Sequence, residues 1–371
     1  MKAKIYLLML ILIQFSCAQE DKTISTPETI NYTLETVVDG INIPWGMVFL
    51  PDGSMLITEK SGKLFQFKNG QKTEIAHNLT VYDRGQGGLL DIELHPDYQN
   101  NGWIYITYAS NEGEEDGGNT AIARGKLEGN SLVSTEVLYK AEPNTTKGQH
   151  FGSRIAFDND GYLYFSIGER GERDVNPQDI TRDGGKIYRL HDDGSIPDSN
   201  PFAEQSGAKQ AIYSYGHRNP QGMLKHYQTG KIWIHEHGPQ GGDEINIIKK
   251  GANYGWPVIS YGENYNGTSF TDITEKEGME QPIYYWVPSI APSGMAFVTS
   301  DVYPEWKGNL MVGSLKFGYL ERMVLEGINV EKREKIVEGE GRVRNIKQGP
   351  DGFLYVGIEG KGIVKLIPNK K

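Results

Sequence analysis

From Asn31 onward the chain repeats one pattern: a short apolar run, a tight turn of Asp, Asn or Gly, then a run alternating apolar and polar residues. Alternation with a period of two, bounded by turn residues, predicts a β-hairpin. The six copies read MVFLPDGSMLITE from Met47, IELHPDYQNNGWIYITY from Ile92, IAFDNDGYLYFSIG from Ile155, LKHYQTGKIWIHEHG from Leu224, MAFVTSDVYPEWKGNLMVGSL from Met295 and IKQGPDGFLYVGIEG from Ile346. In the third copy Leu163, Phe165 and Ile167 fall on one face of the second strand. A single hairpin cannot cover its own faces. Six of them, each extended to a four-stranded blade, close radially and leave only short edges. The pattern therefore predicts an all-β, six-bladed β-propeller over residues 31–371, with loop insertions accounting for the uneven spacing. A two-sheet sandwich would leave so widely spaced a hairpin repeat unexplained.

Composition changes this picture little. Of 371 residues 37% are hydrophobic, enough for a large core, and 46 glycines with 21 tyrosines suit short strands and turns. The formal charge of −10 argues against nucleic acid or an anionic membrane as a partner. The N-terminus differs in character. Lys2 and Lys4 precede an apolar run from Ile5 to Phe15, too short for a membrane span but suited to a signal sequence, so residues 1–18 are expected to direct export. Cys17, the only cysteine, is placed as in a bacterial lipobox, although Gln14 departs from the usual aliphatic residue. Plain cleavage after Ala18 is the alternative. The expected location is the periplasm or, through a lipid on Cys17, the outer membrane. Residues 19–30 are polar and unpatterned and would serve as a tether, and no cysteine remains for a disulfide.

Candidate chemistry concentrates in Tyr215 to Pro257, YGHRNPQGMLKHYQTGKIWIHEHGPQGGDEINIIKKGANYGWP, where two polar, glycine-rich loops flank a short strand. Polar residues recur at one phase of the repeat. Gln86 lies six residues before Ile92, His150 five before Ile155 and Arg218 six before Leu224. Ser289 and Ser293 precede Met295, and Arg342 and Arg344 precede Ile346. The same phase on successive blades means the same end of the propeller. Each residue alone reads as a solvated loop position; together they predict a binding site at one mouth. His235 and His237, two apart on a strand, could suggest a transition-metal pair, but no third nitrogen or sulfur ligand lies near them in the sequence.

With these residues in view the chain resembles the glucose/sorbosone dehydrogenase family, soluble aldose sugar dehydrogenases that use pyrroloquinoline quinone (PQQ). The marks run through nearly the whole mature chain: PWGMVFLPDG, GQGGLLDIELHPDY, QHFGSRIAFDNDGYLYFSIGERG, DDGSIPDSNPF, YGHRNPQG, EHGPQGGDEINIIKKGANYGWP, APSGMAF, GSLK and GRVRNIKQGPDGFLYV. The resemblance implies that Arg342, Arg344 and Lys316 hold the cofactor's carboxylates, with Gln86 and Tyr265 beside them. Guanidinium forks suit carboxylates because two donors meet two oxygens. It implies that Arg218 and Asn219 sit over the reactive carbonyl, and that His150 is the general base removing the sugar hydroxyl proton. It also implies calcium: Glu244 and the Tyr254 carbonyl around one ion, the Gly238 and Pro239 carbonyls toward the ion on the cofactor. Two departures bear on sugar preference. Gln149 precedes the base where the glucose-oxidising branch has an acid, which leaves open what orients His150, and Glu169 in GERG replaces a common Asp. The expected activity is oxidation of aldoses to lactones, with electrons passing to an envelope quinone or cytochrome. A calcium-dependent propeller lactonase and a non-catalytic glycan-binding propeller remain as rivals.

Overall fold

Each sequence repeat forms the first two strands of a four-stranded antiparallel sheet, and six such sheets follow one another along the chain. The computed structural model describes residues 31–369. The expected signal sequence with Cys17 and the tether lie outside the described residues. The innermost strands are Pro44–Phe49, Leu89–Leu94, Ile155–Phe157, Pro220–Lys225, Pro292–Phe297 and Val343–Gln348, defining blades 1 to 6 in order. Each packs on the next around a common axis, and the last packs on the first. The ring is closed by the opposite end of the chain: Tyr32–Val38 pairs antiparallel with Gly362–Pro368 and supplies the outer strand of blade 6. The fold is a six-bladed propeller.

Alternation along the second strands separates two blade interfaces rather than core from solvent. Leu163–Ile167 is buried at every position. Leu163, Phe165 and Ile167 pack with Tyr105 and Ile122 of blade 2, whereas Tyr164 packs with Met223 and Ile234 of blade 4. Burying both faces of a strand in this way is the main source of cohesion between blades.

The beginnings of the innermost strands gather at one end, which forms the mouth. In five blades the register slips there, between Pro44 and Gly46, Leu89 and Ile92, Pro220 and Gly222, Pro292 and Met295, and Val343 and Asn345. Such bulges re-aim side chains where pairing ends. Blades 1, 4 and 5 build the slip from the same tetrapeptide form, Pro-x-Gly-Met, at Pro44, Pro220 and Pro292. The glycine is required by close approach: a Cβ on Gly294 would stand 2.6 Å from the Asn345 Cα of blade 6.

Below the mouth, the axis is pinned by Arg154 of blade 3. Its Nε donates to the Gln221 carbonyl of blade 4 at 2.7 Å, Nη1 to Asp91 of blade 2 at 3.0 Å, and Nη2 to the Arg344 carbonyl of blade 6 at 3.2 Å. The guanidinium lies 4.0 Å from the ring of Trp45 in blade 1. One side chain thus ties five blades together. Two long connections, 168–185 in blade 3 and 248–283 in blade 4, build the mouth outward. The second doubles back to pair Glu263 with Gln240.

Candidate active site

The mouth opens into a cleft of about 690 Å³ between blades 2, 3 and 4. Gln86, His150, Arg218, Pro239 and Tyr265, all singled out from the sequence, line it together with Gln149, Glu169 and Trp256. The phase of the repeat thus converged for Gln86, His150 and Arg218, while Pro239 and Tyr265 had come from the family resemblance. Lys316, Arg342 and Arg344 stand outside this set.

His150 is the best-defined group. Its backbone is held in the left-handed region at φ 60°, and its N–H donates to Gln86 Oε1 at 2.8 Å. Nδ1 pairs closely with Glu169 Oε1, and the Gly171 N–H donates to that same oxygen at 3.1 Å. Glu169 therefore orients the His150 imidazole, which the sequence had left open: its side chain reaches the ring directly. Burial lowers the imidazole pKa; Glu169 opposes this, while Arg218 and Arg170 reinforce it. The ring is then neutral at pH 7, with Nδ1–H held by Glu169 and Nε2 left as the proton acceptor.

Arg218 is fixed from both ends. Its N–H donates to Glu236 Oε2 at 2.7 Å, and Nη1 donates to the carbonyls of Gly238 at 2.7 Å and His237 at 3.1 Å. The guanidinium lies 5.4 Å from the Trp256 ring. Asn219 is fully buried, its Oδ1 accepts from the Gly152 N–H at 3.0 Å, and its Nδ2 has no partner among the described residues. A buried amide donor without an acceptor is costly unless a ligand completes it. Tyr265 stands at the rim, 74% exposed.

Arg342 and Arg344 share one internal carboxylate. Arg342 Nε donates to Glu359 Oε2 at 2.8 Å, and Arg344 donates to Oε1 through Nε at 3.0 Å and through Nη2. Arg344 is buried and Arg342 half exposed. The Lys316 ammonium is exposed, 5.2 Å from the Phe317 ring.

The residues expected to hold calcium are less collected. The Gly238 carbonyl accepts from Arg218, and the Pro239 carbonyl accepts from Ser289 Oγ at 3.1 Å. Glu244 faces Glu236 across the strand pair, and Asn246 Nδ2 donates to both, at 3.1 and 3.2 Å. Burial, then the charge of Glu236, pushes the Glu244 pKa up to about 8. Tyr254 stacks on His217, which pairs with Glu236 at 2.8 Å. Among the described residues no group of three or more His, Cys, Asp or Glu could hold a metal. His235 is buried, its two ring nitrogens without a partner among the described residues, and His237 Nε2 donates to the Pro292 carbonyl at 2.5 Å.

The chain has known relatives. The sequence profile of the glucose/sorbosone dehydrogenases matches residues 41–365, nearly the whole propeller. The chain belongs to this family. The aldose sugar dehydrogenase YliI of Escherichia coli is 41% identical over 340 residues, covering 90% of this chain and 91% of its own. The crystal structure of the soluble aldose sugar dehydrogenase of Escherichia coli in its apo form superposes with a TM-score of 0.86 at 38% identity, covering 91% of this chain and all of that one. A PQQ-bound aldose sugar dehydrogenase from Streptomyces coelicolor superposes with a TM-score of 0.74 at 30% identity, covering 92% and 99%.

Within this member of the glucose/sorbosone dehydrogenases, sequence reasoning passed over Trp256, Glu359 and Arg170. Trp256 lies at the end of the Tyr215 to Pro257 stretch, its ring 5.4 Å from the Arg218 guanidinium. The other two lie across a hairpin from residues that were singled out.

Proposed function

We propose that this family member is an exported dehydrogenase that oxidises the C1 hydroxyl of aldoses to lactones, with PQQ seated at the mouth. The observation that carries the reading is the His150–Glu169 pair opening onto the same cleft as the Arg218 guanidinium. His150 Nε2 takes the hydroxyl proton, Glu169 holds the ring and steadies its charge, and Arg218 steadies negative charge in the cleft. When bound, the quinone supplies a two-electron acceptor for the C1 hydride. The donor set fits such a polyanionic carbonyl compound. Arg218, Gln86 and Tyr265 line the cleft itself, Asn219 Nδ2 is a buried donor with no partner among the described residues, and Arg342, Arg344 and Lys316 join the proposal as cations outside that lining. Calcium belongs to the proposal through Glu244, a half-buried carboxylate of hard-oxygen chemistry, with the Tyr254, Gly238 and Pro239 carbonyls as further oxygen donors.

Aldose labelled with deuterium at C1 tests the chemistry. The label should leave the sugar, and a single turnover should slow. Product that keeps its C1 deuterium contradicts this reading and returns attention to hydrolysis.

Export completes the proposal, and electrons would leave to an envelope quinone or cytochrome. Cys17→Ser should shift the protein out of the membrane fraction, since stable anchoring requires acyl chains. Equal partitioning of variant and parent would favour plain secretion.

A further inference from the structure

Arg170 follows Glu169 in the connection 168–185 and is 1% exposed. A buried guanidinium ordinarily meets a carboxylate, because an uncompensated charge is strongly disfavoured away from water. The Arg170 fork instead meets main-chain carbonyls. Nη1 donates to Gln149 O, and Nη2 donates to Lys147 O at 2.9 Å and Gly118 O at 3.2 Å. Its plane lies 3.4 Å from the centroid of the Phe151 ring, and Nε has no partner among the described residues. Three of these four neighbours belong to segment 147–151, which carries His150.

That segment has no strand ladder of its own. Its conformation is strained, since His150 lies at φ 60°, and strain of this kind persists only where the surroundings over-determine it. Gln86 grips the segment from blade 2, its N–H donating to Gly148 O at 2.6 Å and its Oε1 accepting from the His150 N–H. Gly168 leaves room for it, because a Cβ there would stand 2.3 Å from His150 O. At the far end Thr120 Oγ1 donates to Phe151 O at 2.7 Å, and Arg170 clamps the carbonyls of Lys147 and Gln149 between these holds.

We propose that Arg170 is the positioning residue of the active site: it locks segment 147–151 through its carbonyls and so fixes where the His150 ring meets substrate. The proposal rests on the dehydrogenase reading above. Arg170 is no part of the cleft lining and acts through the loop. It also places a cation near the imidazole. The charged and titratable groups facing His150 are Glu169 and Arg170 from the connection after the second strand, Arg218 from the loop before blade 4, and His237 from blade 4. Lys147, on the same segment, is held by Glu172 at 2.7 Å. Removing the Arg170 charge should therefore raise the His150 pKa.

The test uses R170M, which keeps bulk without charge, and R170K, which keeps charge without the fork. The His150 ring is titrated by NMR in protein without added quinone, its signal assigned by its loss in H150Q. Turnover with saturating PQQ and affinity for PQQ are measured separately. In R170M the His150 pKa should rise and turnover should fall by about 100-fold, the scale expected for a misplaced catalytic group, with PQQ affinity close to parental. In R170K the pKa should stay near parental while turnover still falls. If R170M does not fold, R170K decides alone. Parental turnover in folded R170K overturns the proposal, as does a loss of PQQ affinity that matches the loss of turnover. Should the parent oxidise no aldose, the functional reading fails, and the R170M titration still reports whether Arg170 governs His150; an unshifted pKa there also counts against the proposal.

Discussion

His150→Gln should lower aldose turnover by a factor of about 10² to 10⁴, the usual contribution of a positioned general base, while leaving PQQ affinity nearly unchanged. The other polar groups in the cleft cannot take its place. Arg218 is cationic, Gln86 and Gln149 are not bases, Glu169 is committed to His150 Nδ1, and the two further carboxylates of the lining are paired, Glu172 with Lys147 and Asp174 with Arg173. The same account fixes the sign of the pH dependence. Only the neutral ring accepts a proton, and burial places its pKa below the ordinary 6.5. Activity should therefore hold across neutral pH and fall as pH drops through that lowered value. Glu169→Gln removes the carboxylate that favours the imidazolium, so it should lower the pKa further and reduce turnover. Steady-state rates against pH, with PQQ binding followed by titration calorimetry, check both statements. Near-parental turnover in His150→Gln would place the base elsewhere.

Replacing Arg342 and Arg344 together by Ala should weaken PQQ binding by about 10² to 10⁴, taking each charge-assisted hydrogen bond as about 1.5 to 3 kcal/mol. The half-exposed Arg342 should contribute the smaller share because solvent screens it. The structure adds a control. Glu359 is held by both arginines, so the double variant leaves a largely buried carboxylate unpaired. Glu359→Gln should accompany the two changes to keep the fold intact, with thermal unfolding as the check. Parental affinity in the folded triple variant would remove these arginines from the cofactor site.

The propeller was legible because its repeat is local. Each hairpin announces itself within about fifteen residues, and radial closure is the arrangement that covers all of them. The outer strand of blade 6 was not legible, since Tyr32–Val38 and Gly362–Pro368 meet from opposite ends of the chain. The partners of the site residues were nearer to hand. Blade 3 pairs Ile155 with Phe165, and continuing that antiparallel register outward sets His150 beside Glu169 and Arg170. Blade 6 pairs Val343 with Ile358, which sets Arg342 opposite Glu359. Extending hairpin register past the strand ends would have found both. The fivefold bulge at the mouth also left a trace, in the three Pro-x-Gly-Met segments. What no register could give is the Asn219 Nδ2 left without a partner among the described residues or the convergence of Arg154 on five blades. Both depend on how separate sheets meet across the axis.

The most direct test of the central claim is reconstitution of the purified chain with PQQ. In calcium-containing buffer, dye reduction by aldoses should appear on adding PQQ, saturate at one equivalent per chain, and yield the lactone. Aldose-dependent dye reduction that is indifferent to PQQ, or stoichiometric PQQ binding with no aldose oxidised, would contradict the account.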